Sequence, residues 1–318
     1  MVSPDAFLAH TCVWAGRYGL AYLKLSPTGE QLFASYLPVN SQYDFDGTSE
    51  RGLPAVRIGE ERFEVIEEES MGVFTGCIVD AASFSGADSL SPGSIVTLFG
   101  SRMGPLDGVG FEFEDGRLPT TLGGTRVLVN GEAVPLLFAS YWQVNAILPY
   151  SLPVSTWPEI HVESDGDGGN ELTRSIVQRA GIAVFRQNDS PSRLAAALNE
   201  DGTLNSPDNP AQGGSTVMLF GTGGGATVPP SVAGEVTPLE LRLLEHGAIV
   251  EVVGGPRLTV EYAGAAPGLV AGVTQINVKL PDVIPEVEGF PPGLLPLWVV
   301  SPEGSYYPGY VTVAVNPD

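Results

Sequence analysis

Histidine and cysteine are nearly missing from this 318-residue chain, which holds three of the first and two of the second. Zinc centres draw on clusters of both types at short spacing, and no such cluster exists here. His10, His161 and His246 lie in unrelated segments, and no G-x-S-x-G elbow presents a nucleophilic serine. Paired carboxylates keep a hydrolase reading open, because 37 acidic side chains bring acids together easily. Basic residues are scarce as well: 15 against those 37 acids leave a net charge of −22. A surface of that sign repels phosphate backbones and anionic lipids, which excludes nucleic-acid binding. No apolar run is long enough to span a bilayer, so membrane insertion is not expected. The first twenty residues lack the basic and apolar regions of a signal peptide. Cys12 and Cys77 are enough for one disulfide, but spacing alone does not show that they meet, and the reading set against it is that both are buried small apolar residues.

What the chain has in quantity is glycine (40) and proline (27), spread among valine, threonine and aromatic residues. That mixture is the signature of many short strands joined by turns. A repeat then organises it. SPGSIVTLFGSRMGP (91–105) and GGSTVMLFGTGGGA (213–226) share the frame G-S-x-V-x-L-F-G, with Gly93 matching Gly214 at an offset of 121. YWQVNAILPYSLP (141–153) returns as VTQINVKLPDVIP (273–285), Gln143 matching Gln275 at an offset of 132, so the second copy carries eleven extra residues between the landmarks. Within the first copy, VLVNGEAVPLLF sets Asn130-Gly131 between apolar runs, a type I′ hairpin signal. WPEIHVES and RSIVQRAGIAVF are read as continuing the first copy, and LWVVSPEGSYYPGYVTVAV as closing the second with another hairpin. PLELRLLEHG is the only helix-like stretch and fits an edge strand equally well. The expected fold is all-β: two tandem immunoglobulin-like (IPT/TIG-like) β-sandwiches over 77–187 and 188–318, preceded by a short partial β-segment over 1–76. In that segment AYLKLSPTGEQLFASYL and RGLPAVRIGEERFEVIEE each read as a hairpin, and Glu60 to Glu69 as a solvated strand face or loop.

From Cys77 onward the chain resembles the uncharacterised C-terminal domain family of Solibacter-type acidobacterial proteins. IVDAASFSGADSLSPGSIVTLFGSRMGP, VLVNGEAVPLLFASYWQVNAILPYSLP, AAALNEDGTLNSPDNPAQGGSTVMLFGTGGG and VEYAGAAPGLVAGVTQINVKLP carry the resemblance, in that order. Residues 21–37 also resemble one repeat of the SBBP-type β-propeller. The resemblance implies a secreted or surface-displayed multidomain protein, with its export signal upstream of this chain. It implies no catalytic residues. The expected role is a non-catalytic structural or adhesive module, a stalk, spacer or interaction platform that meets protein or glycan at a cell surface.

Several motifs are weighed against that reading. Gly221 to Ala226 imitates a phosphate loop, but T-V-P-P follows where a helix would have to begin, so a glycine turn is expected. Asp165, Asp167 and Glu171 sit in a Gly-rich loop and supply the oxygen ligands calcium prefers, without EF-hand spacing. Asp44 and Asp46 form a smaller acidic site. Tyr141 and Trp142 offer rings on which a sugar can stack, giving a carbohydrate-binding alternative. Gln143 and Asn145, like Gln275 and Asn277, alternate with an aliphatic residue and so share one strand face. They are read as repeat markers whose side chains cap loop backbone.

Overall fold

The structure is a computed structural model. It describes the backbone of residues 8–14, 17–25 and 31–39, and residues 73–84, 90–169, 176–187, 192–302 and 309–316 in full. Every regular element among them is a strand. Asp44, Asp46, the acidic run 60–69, the second N-terminal hairpin and Glu171 lie outside the described residues.

Strands β1 (Leu8–Trp14), β2 (Arg17–Leu25) and β3 (Gln31–Val39) form an antiparallel sheet in that order. The next nine are β4 (Phe74–Asp80), β5 (Ile95–Ser101), β6 (Val109–Gly110), β7 (Thr125–Val129), β8 (Glu132–Ala133), β9 (Leu136–Ala139), β10 (Gln143–Ile147), β11 (Ile160–Ser164) and β12 (Asp167–Gly168). They make two sheets, β4-β5-β10-β9-β6 and β12-β11-β7-β8, which enclose a core that includes Leu98, Val127, Leu136, Val144 and Val162. The last ten are β13 (Ala183–Val184), β14 (Ala197–Leu198), β15 (Thr216–Thr222), β16 (Thr227–Val228), β17 (Leu243–Leu244), β18 (Ile249–Val252), β19 (Arg257–Ala265), β20 (Thr274–Lys279), β21 (Leu294–Val300) and β22 (Val311–Ala314). Their ladder runs β13-β15-β20-β19-β18-β21-β22, with β17 on β19 and β16 beyond it.

The same order of strands therefore occurs twice. β4-β5-β10-β9 corresponds to β13-β15-β20-β19, and β12-β11-β7-β8 to β22-β21-β18-β19. One difference is local. In the first copy Pro135 separates β8 from β9, so the chain leaves one sheet and joins the other. In the second, β19 spans both sheets without a break and absorbs the turn in a bulge between Val260 and Tyr262. The helix-like PLELRLLEHG stretch contains the short strand β17 and is not helical.

The shared sequence frame has a physical cause. A Cβ on Gly100 would stand 1.9 Å from the Phe74 carbonyl oxygen, and one on Gly221 would stand 2.2 Å from that of Ala183. In each copy the first strand thus passes where only glycine fits. Gly93 and Gly214 both turn with positive φ, 74° and 73°. Asn130 and Gly131 take φ of 51° and 82°, the type I′ geometry expected of them.

Two expectations are corrected. RSIVQRAGIAVF does not simply continue the first copy: Val177 is buried in the first core, whereas Ile182 and Val184 are buried in the second and β13 pairs with β15. The chain crosses between copies at 177–182, ahead of residue 188, because that segment has an apolar anchor at each end. Cys77, read as a buried small apolar residue, is buried but disulfide-bonded.

Candidate functional site

The repeated Gln-x-Asn segment forms β10 in one copy and β20 in the other. Val144 and Ala146, like Ile276 and Val278, turn into the cores, so the amides occupy the opposite face and stay half-buried. In both copies the glutamine Nε2 donates to the asparagine Oδ1 at 2.8 Å. The expected capping of loop backbone is not what they do. A pleat brings residues i and i+2 side by side on one face, so the two amides satisfy each other instead.

Their surroundings are copied too. Gln143 lies opposite Phe99, and Asn145 lies between Thr97 and Phe138. Gln275 lies opposite Phe220, and Asn277 between Met218 and Tyr262. The Tyr262 hydroxyl donates to the Ala265 carbonyl at 2.7 Å, and a Cβ on Gly264 would come within 2.3 Å of that hydroxyl. The ring therefore lies along the strand over Gly264, and burial raises its pKa. Each copy presents an amide pair flanked by an aromatic ring on either neighbouring strand.

Tyr141 and Trp142 occupy the loop joining β9 to β10. Ser140 shapes that loop, its hydroxyl accepting from Gln143 N at 3.1 Å while the Trp142 carbonyl accepts from Gly100 N at 3.0 Å. The two rings pack on each other, centroids 4.1 Å apart, and both are half-buried. Asp165 and Gly166, with φ of 51° and 89°, make the hairpin turn between β11 and β12. Asp165 sits beside Gly124, and Asp167 is exposed on β12. Among the described residues no group of three histidines, cysteines or acids is placed to hold a metal ion. His161 is a half-buried residue of β11, and His246 stands 4.0 Å from Glu245.

The glycine run that imitates a phosphate loop belongs to the joint between copies. A Cβ on Gly223 would lie 2.2 Å from the Gly181 carbonyl oxygen, and one on Gly225 equally close to that of Arg179. The Ser91 hydroxyl donates to the Gly223 carbonyl at 3.0 Å. Thr222, fully buried, accepts from the Ile95 amide at 2.7 Å and donates to the Gly272 carbonyl at 2.9 Å. Around these bonds Ile95, Leu118 and Ile147 of the first copy pack against Phe185, Ala233, Val270 and Val273. At the margin Leu118 N–H donates to the Gly234 carbonyl at 2.8 Å, and Arg117 pairs with Glu235. The glycine run Gly221 to Ala226 stands out in the sequence, but its place at a joint between copies does not. Thr222 falls one residue past the shared frame, where the first copy has Ser101, and no pattern in the sequence marks it as buried.

Tyr150 closes the joint. Burial pushes its phenol from 10.0 up to about 12, against hydrogen bonds with Ser231 and the Gly272 backbone and the charge of Arg242. The neutral form is the one the fold holds. Its stabilisation is complete below pH 10 and lost as pH rises toward 12, about 2 to 3 kcal/mol in all. Tyr150→Phe is expected to flatten the fall in denaturation midpoint over that window; an equally steep fall would count against the buried phenol.

No family model and no curated protein matches the chain. Solved structures similar to it include the surface glycan-binding protein PbSGBP-B from Prevotella bryantii, at 13% identity and TM-score 0.23, covering 75% of this chain and 41% of that one. A gamma-CGTase from alkalophilic Bacillus clarkii matches at 12% identity and TM-score 0.24, covering 98% and 38%. The plexin A4 extracellular region matches at 12% identity and TM-score 0.25, covering 92% and 26%. The chain spans about two fifths or less of each of these proteins. Likenesses of this size carry no functional argument.

Proposed function

We propose that this chain is a non-catalytic structural and adhesive module of a secreted or cell-surface protein, a rigid spacer built from two immunoglobulin-like sandwiches. The observation that carries the reading is the joint. A flexible tether between copies needs little shared contact, whereas here Thr222, Ser91 and Tyr150 bridge through buried hydrogen bonds around an apolar cluster. The strand order supports the immunoglobulin-like assignment: β4, β5, β10 and β9 stand where A, B, E and D would, and β12, β11 and β7 where G, F and C would. A disulfide at Cys77 and a net charge of −22 suit an oxidising, extracellular setting. Membership of the Solibacter-type C-terminal family, within a larger multidomain protein, belongs to the same proposal. Single-pair energy transfer between dyes at the Gly131 and Gly254 turns tests it. A narrow, concentration-independent distance distribution is expected; a broad one would refute a rigid spacer.

A carbohydrate-binding reading rests on the copied amide–aromatic faces, since amides bond hydroxyls and rings stack on sugars. On a glycan array Asn277→Ala is then expected to lose any sugar bound by the parent. Retention of the signal, or silence of both proteins, removes this reading.

A further inference from the structure

We propose that the free edge of β6 docks an extended peptide segment in which basic and apolar residues alternate. The proposal rests on the reading of the chain as an interaction module and names the partner of that module. β6 is the last strand of its sheet. Its inner side is occupied, with Val109 opposite Ala139, Gly110 opposite Phe138, and Phe111 N–H donating to the Leu137 carbonyl at 3.2 Å. Successive residues of an antiparallel strand turn their N–H and C=O groups alternately to either side. Gly110 therefore aims its N–H and C=O away from β9. Nothing lies within 4 Å of where a Gly110 Cβ would stand, so a second backbone has room to approach.

This edge is held in place. Past β6, Glu114 and Arg117 exchange backbone hydrogen bonds of 2.9 and 3.0 Å around Asp115-Gly116, whose φ values of 51° and 76° make a type I′ turn. Arg117 and Leu118 then fasten the hairpin to the second copy through Glu235 and Gly234. Residues 109–117 are nevertheless exposed throughout.

The two faces of the edge differ in chemistry. Phe111 and Phe113 share one face, their rings meeting edge-on at 5.2 Å while 36% and 46% exposed. Glu112 and Glu114 carry the other, with Asp115 at the tip, and Arg117 beyond the turn is paired with Glu235. A strand laid along this edge sets every second side chain beside the rings and the others beside carboxylates. Carboxylates on an open edge commonly guard it against self-pairing. Here the same charges would oppose each other between two copies of this chain and attract a basic partner instead.

The probe is a ten-residue peptide alternating lysine and valine, measured by fluorescence anisotropy. The controls are a peptide alternating glutamate and valine, and one with the lysines and valines in two blocks. The alternating lysine peptide is expected to bind at least tenfold tighter than either control, and more weakly as salt rises. Phe111→Ala with Phe113→Ala is expected to weaken it at least tenfold. Glu112→Lys with Glu114→Lys is expected to transfer preference to the glutamate peptide. Equal binding of the block peptide, an unchanged preference after charge reversal, or no binding at millimolar peptide would overturn the proposal. Those outcomes leave the dye-distance measurement untouched, so failure of the docking edge and failure of the rigid spacer are separable.

Discussion

Gly100→Ala and Gly221→Ala are each expected to lower stability by about 3 kcal/mol or more, the severe end of overpacking in a closed core. The added methyl would stand 1.9 Å from the Phe74 oxygen in one copy and 2.2 Å from the Ala183 oxygen in the other. Both obstacles are backbone atoms of a paired strand and cannot swing aside as a side chain would. β4 or β13 must therefore slide off its neighbour, which breaks the pairing between Thr75 and Gly100 or between Val184 and Gly221. Gly168→Ala is the control: nothing lies within 4 Å of its Cβ position and its φ is not positive, so a change within about 0.5 kcal/mol is expected. Urea denaturation of the three variants checks all of this. Comparable midpoints for all three would show that the repeated glycine has no steric cause.

Thr222→Val is expected to cost about 2 to 4 kcal/mol, although the two side chains are nearly the same shape. The substitution strands the Ile95 amide and the Gly272 carbonyl in a buried joint, each losing a partner it cannot replace with water. Its further consequence distinguishes it from an ordinary core defect. Calorimetry is expected to resolve separate unfolding of the two copies in Thr222→Val where the parent unfolds more cooperatively. Ser101, at the corresponding place in the first copy, is only half-buried, and Ser101→Val is expected to leave the transition alone. A joint that depends on its apolar cluster only would show no such difference between the two substitutions.

Much of the fold was legible because it rests on local chemistry repeated twice. The Asn130-Gly131 turn, the G-S-x-V-x-L-F-G strands and the absence of any helical period all report backbone preferences that neighbours in sequence determine. The crossing between copies was not legible, since Val177 and Ile182 are equally apolar and only the two separate cores tell which each serves. The fate of the amides was half legible. Alternation placed Gln143 with Asn145 on one face, but that they bond each other depends on rotamers that alternation does not specify. Thr222 was invisible: its importance comes from Ile95 and Gly272, both distant in sequence and brought close only by the joint. The exposure of Phe111 and Phe113 is illegible for a related reason, as apolar residues at alternate positions read as core until the sheet order puts them on an edge.

The central claim is that the two copies form one rigid body. Residual dipolar couplings from the amides of β5 and β10 and of β15 and β20, measured in a single aligned sample, test it most directly. One alignment tensor is expected to fit both sets of strands. Two tensors differing in magnitude or orientation would mean that the copies move independently and would contradict the joint.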